Sequence, residues 1–192
     1  MSSQLMPIPE EFYAFENGQP FTHCQICNRP LLTGNSDYFI EKVIRNYPGQ
    51  GVQDVVYEYA VCWHCAEENS QRMSEESLKN IQAYFNSQMF FLYQAEEYQQ
   101  RWPEISDPLP DHCLVTGQSK AELDEYMIYG HFRGDQMVRS TMPYLFSSQV
   151  LDELGECLSA KTRDELDDFR DKYFGGPPEL EELWKSRRPV FF

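Results

Sequence analysis

His23-Cys24-Gln25-Ile26-Cys27-Asn28 and Val61-Cys62-Trp63-His64-Cys65-Ala66 hold two Cys-x-x-Cys pairs, with 34 residues between Cys27 and Cys62. Each pair can bring two thiolates to one ion, and four thiolates complete a tetrahedron at about 2.3 Å from zinc. Cys24, Cys27, Cys62 and Cys65 are therefore the expected metal ligands. A redox dithiol would need one pair in a β-α-β setting, a pattern this stretch lacks. Between the pairs lie two runs with strand character, Tyr38 to Ile44 and Val55 to Val61. Pro48, Gly49 and Gly51 punctuate the segment 46–51 that joins them, so the spacing predicts a β-hairpin with a long loop. Ala66-Glu67-Glu68 then reads as the first turn of a helix.

A knuckle with the first pair, a hairpin, and a second pair at the start of a helix resembles the treble-clef class of zinc fingers. The resemblance covers residues 22 to 80 and rests on the four cysteines alone. A zinc ribbon is the alternative fold. Thiolate-only tetrahedral sites take zinc or a single iron. In rubredoxin-like iron proteins both Cys-x-x-Cys turns are followed by Gly; here Asn28 and Ala66 follow, which favours one zinc ion over iron. The treble-clef class hosts nucleases, ubiquitin ligases, ribosomal proteins and docking modules, so the resemblance implies no activity. A His-Asn-His nuclease would need a histidine on the hairpin, and residues 38–61 contain none.

Beyond Cys65 the period changes. Leu78, Ile81, Tyr84, Phe85, Met89 and Leu92 recur at helical intervals behind Ser74, which predicts a long helix over 74–102. From Tyr84 to Tyr93 its apolar residues go nearly all the way round, the pattern of a helix covered on every side. Trp102-Pro103 closes it, and three prolines within 103–112 mark a linker. The order of the first half then recurs: His112-Cys113, a run at Tyr126-Met127-Ile128, a second run over 136–141, and a helix opening near Ser147 or Ser148. Aligned this way, Thr116 replaces Cys27, while Met142 and Leu145 replace Cys62 and Cys65. One thiolate cannot hold zinc, so this half reads as a degenerate, metal-free repeat. Thr162-Arg163-Asp164-Glu165 reads as a capping box for a C-terminal helix, stopped at Gly175-Gly176-Pro177-Pro178.

The expected fold class is thus α+β: an N-terminal treble-clef-like zinc module, then a metal-free module of similar plan with C-terminal helices. Residues 1–20 form an extended leader laid on the fold through Phe12, Tyr13 and Phe15. Residues 21–102 form the zinc module with its long helix, 103–112 the linker, and 113–192 the second module.

Net charge is −15, from 31 acids against 16 bases. Such a field repels phosphate backbones, and the one basic cluster, Lys185, Arg187 and Arg188, is too small to anchor a duplex. The most apolar segment, Met89 to Tyr93, is too short to span a bilayer. MSSQLMPIPEEF has neither a basic n-region nor an apolar run, so the expected compartment is the cytoplasm, with reduced thiols. His23 and His64 flank ligand cysteines and read as exposed neighbours, with substitution as a ligand or a hydrogen bond to a sulfur as the alternatives. His131, between Gly130 and Gly134, reads as a loop residue. His112 and Cys113 are adjacent, and adjacent side chains in an extended segment face opposite ways, which disfavours a Cys-His nucleophile. Cys157, beside Leu154 and Leu158, reads as a buried hydrophobe. The expected function is a non-enzymatic protein-interaction or assembly module with a structural zinc. The alternatives are a redox or hydrolytic enzyme with a pocket between the halves, and a nucleic-acid-binding zinc protein.

Overall fold

Tyr38 to Ile44 is buried at every position rather than at alternate ones, which a strand achieves only with cover on both faces. The computed structural model describes residues 4–33, 35–47, 51–88, 91, 109–139 and 143–174. Its strands are β1 (Gln4–Pro7), β2 (Asp37–Tyr47), β3 (Val52–Cys62), β4 (Glu125–Arg133), β5 (Gln136–Arg139) and β6 (Tyr144–Ser147). Its α-helices are α1 (Trp63–Ser70), α2 (Glu75–Ser87), α3 (Ser148–Glu156) and α4 (Ala160–Phe174). The six strands form one antiparallel sheet in the order β1-β5-β4-β2-β3, with β6 also paired to β4.

The centre of the sheet joins chain from either side of the Pro-rich segment. β2 pairs β4 continuously from Asp37↔Arg133 to Arg45↔Glu125. Both halves therefore share one sheet and one hydrophobic core. Helices cover one face, where Trp63 lies 5.6 Å from Phe39 and Phe85 lies 5.8 Å from Phe146. The N-terminal segment covers the other, where the fully buried Phe12 meets Phe132 at 4.9 Å. There the buried Lys42 donates to the Tyr13 carbonyl at 2.6 Å and pairs with Glu58 at 3.0 Å. Tyr13 is half-buried, whereas Phe15, expected to pack on the fold, is 63% exposed. Its backbone N–H, not its ring, holds the segment, donating to Glu58 Oε1 at 2.8 Å.

The first hairpin is longer than the sequence suggests. β2 runs to Tyr47 and β3 begins at Val52, with a register irregularity at Val43/Ile44. The expected helix over 74–102 ends at Ser87, because Gln88 has φ −88° and ψ 84°. Phe85 and Phe91 lie 4.9 Å apart, which a straight helix forbids: residues six apart are separated by about 9 Å of rise. Gln88 breaks the helix, Phe91 is helical again, and both rings reach Phe146. Residues 89–90 and 92–108, holding the rest of that expected helix and most of the expected linker, lie outside the described residues, as do 175–192. Among the described residues, no helix is long and apolar enough to cross a membrane.

α2 and α4 begin side by side, and their first turns interlock. Ser74 Oγ accepts the Ser77 N–H at 3.1 Å, and Ser159 Oγ accepts the Thr162 N–H at 3.3 Å. The α4 cap is therefore Ser159 rather than the expected Thr162, although Thr162 is the one with Glu three residues on; Thr162 lies instead in the first turn, where its N–H is the one capped. Across the two helices, Ser74 N–H donates to Thr162 Oγ1 at 3.0 Å and Ser159 N–H donates to Ser77 Oγ at 2.9 Å. The hydroxyls of Ser77 and Thr162 meet at 2.9 Å, as do those of Ser74 and Ser159.

Candidate metal centre

The first cysteine pair sits on a turn that closes on itself. Asn28 N–H donates to the Cys24 carbonyl at 2.8 Å, and Cys24 N–H donates to the Arg29 carbonyl at 2.8 Å. Asn28 has φ 56°, a left-handed conformation that Asn tolerates better than most residues. Gln25 N–H donates to the Ala60 carbonyl at 3.0 Å and ties this knuckle to the end of β3. β3 delivers Cys62, which stands at the N-cap of α1, and Cys65 follows in the first helical turn. The Cys62 N–H points back at Cys24 Sγ, 3.4 Å away.

Strand, knuckle and helix start thus converge, and all four sulfurs lie within 4.8 Å of one another. Cys27 and Cys62 Sγ are 3.7 Å apart. Metal–sulfur bonds of about 2.3 Å require tetrahedral edges of about 3.8 Å, so this donor set fits one tetrahedral ion and is compatible with zinc. Cys24, Cys62 and Cys65 are buried, and Cys27 is at the surface. Burial opposes ionisation of Cys24, yet backbone N–H groups of Cys27, Cys62 and Ile26 aimed at its sulfur outweigh it and hold the thiol below its ordinary value. Burial, followed by charge on Cys24, pushes Cys65 well up; burial likewise raises Cys62. Without a cation the four thiols cannot all ionise; a bound cation supplies the compensating charge.

Among the described residues, no histidine joins this cluster. His64 reaches along α1 to Glu68 at 3.6 Å, and His23 Nδ1 meets Thr22 Oγ1 at 3.0 Å. His112 Nδ1 meets Asp111 at 2.5 Å, while Cys113 is buried against Ser147. His131, expected in a loop, lies inside β4: its Nε2 contacts Asp37 Oδ1 at 2.9 Å and its ring lies 5.1 Å from Phe39. Arg133 donates to both oxygens of the same Asp37, at 2.9 and 3.1 Å. Cys157 is half-buried at the C-cap of α3, and burial raises its thiol.

The second half holds no comparable cluster among the described residues. Leu145, expected at the place of Cys65, lies in β6 opposite Ile128, and Met142 lies outside the described residues. The hydrogen bond that Cys62 N–H makes to Cys24 Sγ recurs instead at Ser147, whose N–H meets Cys113 Sγ at 3.3 Å. Sequence reading also passed over Glu41. This carboxylate is fully buried in the central strand, accepting from Tyr57 Oη at 2.6 Å and from Tyr59 Oη. A charged residue inside an apolar strand run was its available signal. No protein-family model, curated protein or solved structure matches this chain.

Proposed function

We propose that this is a non-enzymatic structural-zinc protein whose first half is a treble-clef module and whose acidic surface serves as a protein-interaction or assembly platform. The observation that carries the reading is the closed donor set. Four cysteine sulfurs within 4.8 Å of one another are enough to fill a tetrahedral coordination shell, which would leave no open site of the kind a catalytic zinc keeps for water or substrate. A knuckle, a hairpin and Cys62 and Cys65 at the start of α1 support the treble-clef assignment over a zinc ribbon, in which no helix would supply the second pair. The net charge of −15 favours a partner with a basic groove and opposes nucleic acid.

Elemental analysis combined with thiol titration of folded protein, before and after a chelator, tests the zinc assignment. The expected result is about one zinc per chain, with four thiols that react only once the ion is withdrawn. Four thiols reacting rapidly in metal-free, folded protein would overturn it and favour redox chemistry. Native mass measurement of material purified gently from lysate tests the interaction role. Recovery of the free monomer alone counts against it, and salt-dependent retention on immobilised nucleic acid would replace it with the nucleic-acid reading.

A further inference from the structure

We infer that the second half of the chain carries a dismantled copy of the four-cysteine site, in which Cys113, Thr116, Ser147 and Val150 stand where Cys24, Cys27, Cys62 and Cys65 stand. Restoring three thiols there would create a second centre for a thiolate-binding divalent metal. The inference goes beyond the zinc assignment of the first site and does not require it.

The correspondence is carried by main-chain geometry. Cys113 N–H donates to the Gln118 carbonyl at 2.8 Å, as Cys24 does to Arg29, and Gly117 N–H donates to the Cys113 carbonyl at 2.8 Å, as Asn28 does to Cys24. Gly117 has φ 72°, matching the left-handed Asn28. Leu114 N–H donates to the Leu145 carbonyl at 3.0 Å, as Gln25 does to Ala60. Isolated bridges His23↔Pro30 and His112↔Ser119 close the two knuckles in the same way. Ser147 pairs with Tyr126 and caps α3; Cys62 pairs with Tyr38 and caps α1. Even the distal caps match, since Ser74 follows Cys62, and Ser159 follows Ser147, by the same twelve residues.

The side chains keep the same burial. Cys113, Ser147 and Val150 are buried, as are Cys24, Cys62 and Cys65, while Thr116 and Cys27 are the more exposed member of each set. Cys113 Sγ and Ser147 Oγ are 3.6 Å apart, close to the tetrahedral edge of about 3.8 Å. The three replacements are small and uncharged, as a site without a cation requires. Val150 substitutes apolar packing for a metal bond.

The test is the full-length variant T116C/S147C/V150C. Metal content is measured by elemental analysis after zinc loading, and by the absorption of tetrahedral thiolate-bound cobalt(II) after cobalt loading. The expected result is one metal equivalent more than the natural chain binds. T116C/S147C, which keeps Val150 in the core and offers three thiols with Cys113, should also gain metal, more weakly. If both variants bind no more than the natural chain, the inference is overturned. Failure of both to fold overturns it too, because these positions are held to accommodate thiols on this backbone. A natural chain that binds no metal beside a variant that binds one would remove the zinc reading of the first site and leave this inference standing.

Discussion

Ser77 sits where α2 meets α4 and is fully buried. Replacing it with alanine removes the acceptor for the Ser159 N–H and the partner of Thr162 Oγ1. The lost volume is a single oxygen, so the cavity contribution is small and unsatisfied polar groups dominate. A buried donor stripped of its acceptor costs about 1–3 kcal/mol, and losing the hydroxyl pair brings the expected total for Ser77→Ala to about 2–3 kcal/mol. For a chain of this size each kcal/mol lowers Tm by roughly 2–4 °C, so the variant should melt about 4–12 °C lower. Thr162→Val preserves shape and removes the acceptor of the Ser74 N–H, so its cost should be similar. Because both variants break the same Ser77–Thr162 bond, the double variant should cost less than the sum by about 1 kcal/mol. Urea denaturation of metal-loaded protein, with unchanged m-value, measures all three. A loss below about 0.5 kcal/mol for Ser77→Ala, typical of an exposed site, would show that water replaces the hydroxyl and would refute the closed polar junction.

Gly130→Ala should destabilise the fold by about 1–3 kcal/mol through overpacking, because its Cβ would lie 2.8 Å from two Phe132 ring carbons and 2.9 Å from Phe12. Denaturation midpoints check this, and adding Phe12→Leu should recover part of the loss. Asn28→Ala forces alanine to φ 56° at a cost of roughly 1–2 kcal/mol, whereas Asn28→Gly should be nearly neutral. Chelator competition should show metal affinity falling at least about fivefold for the alanine variant only. His131 is held below its ordinary value by burial, against the pull of Asp37. The unfolded chain gains a proton below about pH 6.5 that the folded chain refuses. Stability should therefore fall as pH drops through 6.5 and level off only below the folded value. Denaturation of His131→Gln across this range should show a shallower decline.

The four cysteines were legible because thiol pairs at fixed spacing carry their chemistry in residue identity alone, and the first hairpin was legible from its apolar runs. Its true length was not, because Arg45 and Asn46 are paired by the ladder to Asp54 and Gln53 without being apolar. The inferred counterparts of Cys62 and Cys65, Ser147 and Val150, lie five residues beyond the Met142 and Leu145 that spacing suggests. In the second half the returning strand is split into β5 and β6, and counting along a continuous strand misplaces its end. The glycines on either side of His131 suggest a loop. Gly130 is in fact a strand residue whose missing Cβ admits the Phe12 and Phe132 rings. The break after Ser87 has no Gly or Pro to announce it.

The β2–β4 pairing also sets an order of events during synthesis. Everything that positions the four sulfurs, from the knuckle to the first turn of α1, has been made once Cys65 is in the chain. The strand that closes the other edge of β2 is complete only at Arg133. At about 5–20 residues per second the interval is roughly 3–14 s. Throughout it, an eleven-residue strand with apolar runs at Tyr38–Ile40 and Val43–Ile44 presents an unpaired edge on the ribosome, a template for joining neighbouring chains. Metal capture by the first half can precede that closure but cannot replace it, so the nascent protein's exposure to self-association is governed by the speed of translation between Cys65 and Arg133.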